Sequence, residues 1–152
     1  MAYTVAQARQ QLLDTIAEAT DGIGEALAAL GEAYEHLDDS NAERLEQELF
    51  RPVQIAYGRA QRTYAGFADR SGLPSHTFAP ANPGHPSQGV KGFIESATEA
   101  ISRADGALAT LQDSMLPVEV GDPELRAGLE DVRTLLGPPR ERARQFVRTL
   151  GR

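Results

Sequence analysis

The 152-residue chain has no cysteine, no tryptophan and one lysine, Lys91. It also has no apolar run near the roughly 20 residues that a bilayer-spanning helix needs. Without cysteine there can be no disulfide, no thiol nucleophile and no thiolate-bound metal or iron–sulfur cluster. Aromatic residues make up only 6% of the chain, and no nucleic-acid-recognition motif accompanies the arginines. Cations are the minority charge, 15 basic against 22 acidic side chains for a net charge of −7, which disfavours a general phosphate-binding surface. The opening MAYTVAQARQQLLDTIAEA lacks a basic segment followed by an apolar stretch, so no secretory signal is read there. The expectation is a cytoplasmic protein with neither a nucleic-acid nor a membrane partner, folded as one domain over residues 1–152.

Helical periodicity is abundant. Leu12, Ile16, Ala19, Ile23, Ala26, Leu30, Ala33 and Leu37 recur at alternating steps of three and four, forming one stripe of a long helix over residues 4–39. Large residues occupy one heptad position and mostly alanines the other. Leu13, Thr20, Leu27 and Tyr34 widen the stripe beyond a two-stranded coil and point to a bundle. A second helix follows Ser40, which with Glu43 has the spacing of a capping box. Its stripe runs from Leu49 to Phe67, a kink is expected near residues 48–52 because of Pro52, and Gly72 ends it. A third stripe carries Val90, Ile94, Ala97, Ile101, Ala104, Leu108, Leu111 and Met115, with Ser87 as cap. The fourth opens on Asp122 and Pro123, an N-cap followed by proline at the first helical position. It is expected to break at Gly137-Pro138-Pro139 before a short terminal helix. The expected architecture is all-α, an up-down-up-down four-helix bundle with a kinked second helix, a broken fourth and a long proline-rich loop between helices two and three.

That loop, GLPSHTFAPANPGHP over residues 72–86, contains four prolines and no periodicity, and loops of this length are commonly functional. An offset of 78 residues equates Ile16, Ala19, Thr20, Ile23, Ala26 and Leu30 with Ile94, Ala97, Thr98, Ile101, Ala104 and Leu108. A duplicated helical hairpin would produce this echo, with the loop as its crossover.

Three kinds of chemistry can be weighed against the stripes. A carboxylate-bridged metal centre needs inward acids and Glu-x-x-His pairs, yet Glu18, Glu25, Glu32, Glu95 and Glu99 fall on outward positions. The Glu-x-x-Glu spacings at Glu32/Glu35 and Glu43/Glu46 lack the second acidic motif that a magnesium-dependent pyrophosphohydrolase carries on the next helix. No phosphate-binding glycine loop or nucleophile elbow occurs, and no cofactor is expected.

Charge is uneven along the chain. Residues 4–39 hold eight acids and one arginine, whereas residues 137–152 hold five arginines and one glutamate. The basic tail is expected to neutralise the acidic first helix or to meet an acidic partner. The sequence therefore implies a noncatalytic interaction or scaffold module whose partner is another protein or a second copy, with a dimer through the first and third long helices. The partner-binding candidates are His76 and His85 in the loop and Arg140, Arg144 and Arg148 in the tail. The alternative is a small-molecule- or metal-binding bundle, even an enzyme, with a pocket between those two helices where alanine and glycine leave room.

Overall fold

The computed structural model describes residues 4–84 and 86–150, the Pro86 side chain excepted, and among them it is helical with no strand. Helix α1 spans Val5–Glu35, α2 Asp39–Leu45 and α3 Arg51–Arg70, with a π-helical turn at Glu46–Phe50 joining α2 to α3. After a 3₁₀ turn at Pro86–Gln88 come α4 (Gly89–Asp113), the one-turn α5 (Leu116–Glu119) and α6 (Pro123–Leu150).

Local chemistry sets these boundaries. Helix α1 starts on a reciprocal box in which the Gln7 N–H donates to Thr4 Oγ1 at 3.1 Å while the Thr4 N–H donates to Gln7 Oε1 at 3.0 Å. The expected box at Ser40 is not formed, because α2 begins two residues earlier, at Asp39, with Asp38 at its N-cap. Ser87 likewise lies in the 3₁₀ turn rather than capping α4. Asp122 does cap α6, accepting from the Leu125 N–H at 2.8 Å. Met115, read as the last apolar position of its helix, lies beyond α4 at φ 70° and is half exposed.

Two proline sites depart from simple helix breaking. In the turn before Pro52, the Arg51 N–H bonds back five residues to the Glu46 carbonyl. This extra residue widens the turn where the proline ring would otherwise press on the preceding carbonyl. The fourth helix is not broken, which corrects the expectation at Gly137-Pro138-Pro139: α6 runs through both prolines. Gly137 has no Cβ to clash with the following ring, and Leu136, Pro139, Ala143 and Phe146 stay buried on one stripe. A clamp spans the prolines as well, since Arg133 Nε at 2.9 Å and Arg140 at 3.6 Å converge on the Asp105 carboxylate of α4.

The stripes meet in one buried cluster fed by every long helix. Leu12, Ile16, Ile23 and Leu30 of α1 and Ile94, Ile101 and Leu108 of α4 are at most 2% exposed. Each such side chain contributes about 1.5–3 kcal/mol of burial. The two helices make the largest contact in the molecule, and α3 and α6 make the next. The surfaces expected to join two chains are therefore used within one.

Cross-helix contacts also give direction. His36, capping the end of α1, stacks on Phe93 near the start of α4 with ring centroids 6.4 Å apart, and Arg9 near the start of α1 donates to Val120 O beyond the end of α4. Tyr57 and Phe50 of the α3 arm lie beside Gly24 and Gly31 of α1, in descending order. Arg59 pairs with Asp131 and Arg70 with Asp122. Hence α1 runs antiparallel to both α3 and α4, and α6 antiparallel to α3. The expected up-down-up-down order is corrected to up-down-down-up: α3 ends beside the start of α1, and α4 begins beside its end.

The segment between them must cross the whole length. Tyr64 lies near Asp14 and Phe93 near His36, levels separated by roughly 35 Å at 1.5 Å per helical residue. About fifteen residues at ~3.3 Å each can reach roughly 50 Å only when extended. Four prolines favour that conformation. The proline-rich stretch is therefore a strap laid across the outer face of α1.

Deleting Thr77–Ala81 would leave a reach of roughly 33 Å. The expected outcome is loss of the monomer, as unfolded chain or as a dimer exchanging α4 and α6, read by light scattering; an unchanged monomer would contradict the crossover. At the base of α6, Arg70 holds Asp122 through hydrogen bonds of 2.7 and 3.0 Å. This donation, with the Leu125 N–H, lowers the Asp122 pKa below its ordinary 3.8. A carboxylate with a depressed folded pKa stabilises above its unfolded value and loses that contribution as pH falls through the folded one. Asp122→Asn should thus cost roughly 1 kcal/mol at neutral pH, moderated by solvent screening, with the gap to wild type closing below about pH 4 in denaturant titrations.

Candidate functional site

The buried polar residues among those described are Thr20 and Thr63, and each hydroxyl donates to its own helix, to Ile16 O at 2.7 Å and Arg59 O at 2.8 Å. No group of three or more His, Asp or Glu side chains converges among the described residues. Glu18, Asp21, Glu25, Glu35, Glu95 and Glu99 are exposed. His36 and Glu32 form a surface pair at 3.4 Å, four residues apart on α1.

The seam between α1 and α4 is closed by its small residues. A Cβ built on Gly22 would lie 3.5 Å from Ala104 Cβ, and Ala26 and Ala104 are at most 2% exposed. Alanine here draws two backbones together; the concavity beside it, about 330 Å³ between Asp21, Glu25 and Arg103, lies on the surface.

The arginines sit at the far end of α6. Arg140, Arg144 and Arg148 follow one another at four-residue steps and so share a face. Arg140 is tied to Asp105, whose side chain is only 19% exposed. Arg144 and Arg148 are exposed and make no ion pair among the described residues. With Ala143 and Val147 they form one wall of an open groove of about 520 Å³, and Lys91, Glu95, Thr98 and Glu99 of α4 form the other. Glu95 lies 4.0 Å from Lys91. A guanidinium pair on an apolar floor suits a carboxylate, which it can grip with two parallel N–H donors.

The tail does not neutralise α1, correcting that expectation, because α6 contacts α3 and α4 and occupies the corner diagonal to α1. Its acid is Asp105 of α4, while Glu25 of α1 takes Arg103 of α4 at 3.0 Å. The Asp105 carboxylate beside Arg133 raises that guanidinium's pKa further.

His76 belongs to a different place. Its ring lies 4.5 Å from Phe78 and 5.8 Å from Tyr64, and Phe78 meets Tyr64 edge-on at 5.7 Å. This aromatic triplet fastens the strap to α3. Burial, with Asp14 nearby, raises the Tyr64 phenol pKa although a hydrogen bond with Gln10 opposes it. Tyr64 and Phe146 sit toward opposite ends of the bundle, roughly 30 Å apart along its axis, so His76 and the unpaired arginines do not share a site. His85 lies outside the described residues.

A second groove was not anticipated in the sequence. It has a volume of about 660 Å³ and lies between α1, the π turn, α3 and the strap, with Leu27, Ala28, Phe50, Tyr57 and Phe78 on its surfaces and Glu32 and Glu35 at its edge. The signal was present as Gly24, Ala28 and Gly31, small residues on the outer face of α1 opposite half-buried aromatics. A Cβ at Gly24 would approach Tyr57 to 3.2 Å, so this glycine lets the tyrosine lie flat. Burial and the nearby Asp21 raise the Tyr57 phenol pKa.

No protein-family model, curated protein or solved structure matches the chain significantly.

Ala104→Leu tests the seam. The expected result is destabilisation of roughly 1–3 kcal/mol from overpacking, seen as a lower thermal midpoint; retained stability would show that the seam holds usable space.

Proposed function

We propose that the chain is a noncatalytic protein-interaction or scaffold module, a single-domain four-helix bundle with a bent second helix that works in the cytoplasm. Its partner is another protein, or a second copy, that presents carboxylates to the end of α6. The observation that carries this reading is the asymmetry within the arginine stripe. Arg140 is anchored to Asp105, whereas Arg144 and Arg148, one and two turns on, stand on a groove wall with no acid paired to either.

The anchored residue fixes the direction of the helix past its two prolines, and the next two offer their guanidinium groups. In this arrangement a partner carboxylate gains two charge-assisted donors without first breaking an internal ion pair. Half-buried Val147 supplies the apolar contact beside them. Nucleic acid is disfavoured as the partner by the net charge of −7, and no helix among the described residues is long and apolar enough to cross a membrane.

The structure changes how this reading is tested. Replacing Arg140 would disturb the clamp on Asp105, so the informative variant is Arg144→Glu with Arg148→Glu. Native mass spectrometry of protein purified gently from its own host is expected to retain a protein complex or dimer for the wild type. The double variant should bind at least tenfold more weakly with unchanged helicity. Equal affinity would contradict the role of the arginines, and a stoichiometric metal or small molecule in place of a protein would overturn the noncatalytic reading.

A further inference from the structure

The groove crossed by the strap has the opposite character from the arginine groove. Its floor is apolar and aromatic, made by Leu27 and Ala28 of α1 with Phe50, Tyr57 and Phe78. Glu32 and Glu35 are its only charged lining residues, and no cation is among them. Glu32 shares its carboxylate with exposed His36 at 3.4 Å, while Glu35 makes no ion pair among the described residues.

Its dimensions suit a helix. From Gly24 to Glu35 the wall contributed by α1 is roughly 16 Å long, three turns, and the groove of about 660 Å³ is open along its outer side. An amphipathic helix laid into such a trough anchors through apolar residues at steps of three and four. Carboxylates along one edge then select cations at its flank and disfavour acids.

We propose that this groove docks a helical segment of a partner protein that is apolar along one stripe and carries lysine or arginine beside it. A second copy of this chain is a poor occupant. The basic end of α6 directs Ala143 and Phe146 into its own core, where they are at most 4% exposed, and leaves Val147 and Leu150 half-buried, less than one turn of apolar stripe against a three-turn floor. This inference is independent of the role assigned to Arg144 and Arg148, and the two surfaces can fail separately. Together they make the module two-sided, with one face for an acidic partner and one for a basic amphipathic helix.

The test uses the full chain and a fluorescein-labelled 18-residue peptide of leucine and lysine, with leucine on a three-four stripe. A matched peptide carries glutamate in place of lysine. Anisotropy should show saturable binding of the lysine peptide and at least tenfold weaker binding of the glutamate peptide. Glu32→Lys with Glu35→Lys should weaken the lysine peptide at least tenfold. Ala28→Trp, which fills the floor from an outward helix position, should do so without altering charge. As a control for general attraction to an acidic protein, Glu119→Lys with Glu141→Lys makes the same charge change on exposed positions outside the groove and should shift affinity less than threefold. Circular dichroism confirms that each variant is folded; Gly31→Leu replaces Ala28→Trp if that variant is not. Failure of both peptides to bind, equal loss in the control pair, or undiminished binding with the floor filled would each overturn the proposal. The Arg144→Glu, Arg148→Glu variant should bind the lysine peptide as the wild type does, and a tenfold change there would place the peptide at the wrong end of the molecule.

Discussion

Everything in this fold follows from one length constraint: about fifteen residues must carry the chain from one end of the bundle to the other. Because α3 ends beside the start of α1 and α4 starts beside its end, the connection cannot be a compact turn. Its residues 73–84 form neither helix nor strand, and its prolines favour extension while lowering the entropy it loses on ordering. The strap then needs an anchor, which Tyr64, His76 and Phe78 provide, while Gly24 and Gly31 of α1 face Tyr57 and Phe50 instead. The groove between these elements is what remains uncovered.

Proline serves three separate ends in this molecule. In the strap it favours extension. At Pro52 it is absorbed by a π-helical turn, and at Pro138 and Pro139 it lies inside a continuous helix held on both sides by Asp105 of α4. Proline weakens a helix from within, yet the outcome is decided by what grips the chain on either side. Here the grip is a carboxylate that is mostly buried and shared between Arg133 and Arg140, and it also positions the unpaired arginines beyond it.

The hydrophobic stripes were legible in the sequence because a helix repeats at fixed intervals, and Leu12 through Ala33 and Ile94 through Leu111 are buried where the spacing places them. Direction was not legible. A stripe reads the same with its helix pointing up or down, and only contacts such as His36 with Phe93 tell the two apart. The proline-rich segment was recognised as a long loop, but its purpose depended on where its two ends lie. The same limit applied to the site. Spacing placed Arg140, Arg144 and Arg148 on one face, whereas the division between an anchored and two unpaired arginines depends on Asp105, 35 residues earlier. His76 reads as a partner-binding candidate in the loop, and only the fold shows that its exposed ring lies against Tyr64.

The absence of cysteine, which excludes so much chemistry, makes the central claim easy to test, since two introduced cysteines are the only thiols in the chain. Spin labels at Asp69, near the end of α3, and at Lys91, near the start of α4, both exposed, report the crossover through their separation by double electron–electron resonance. The up-down-down-up arrangement predicts about 45–50 Å, from the helical rise along α1 and the diagonal between corners. A distribution centred near roughly 20 Å, as for two antiparallel helices joined at one end of the bundle, would contradict it.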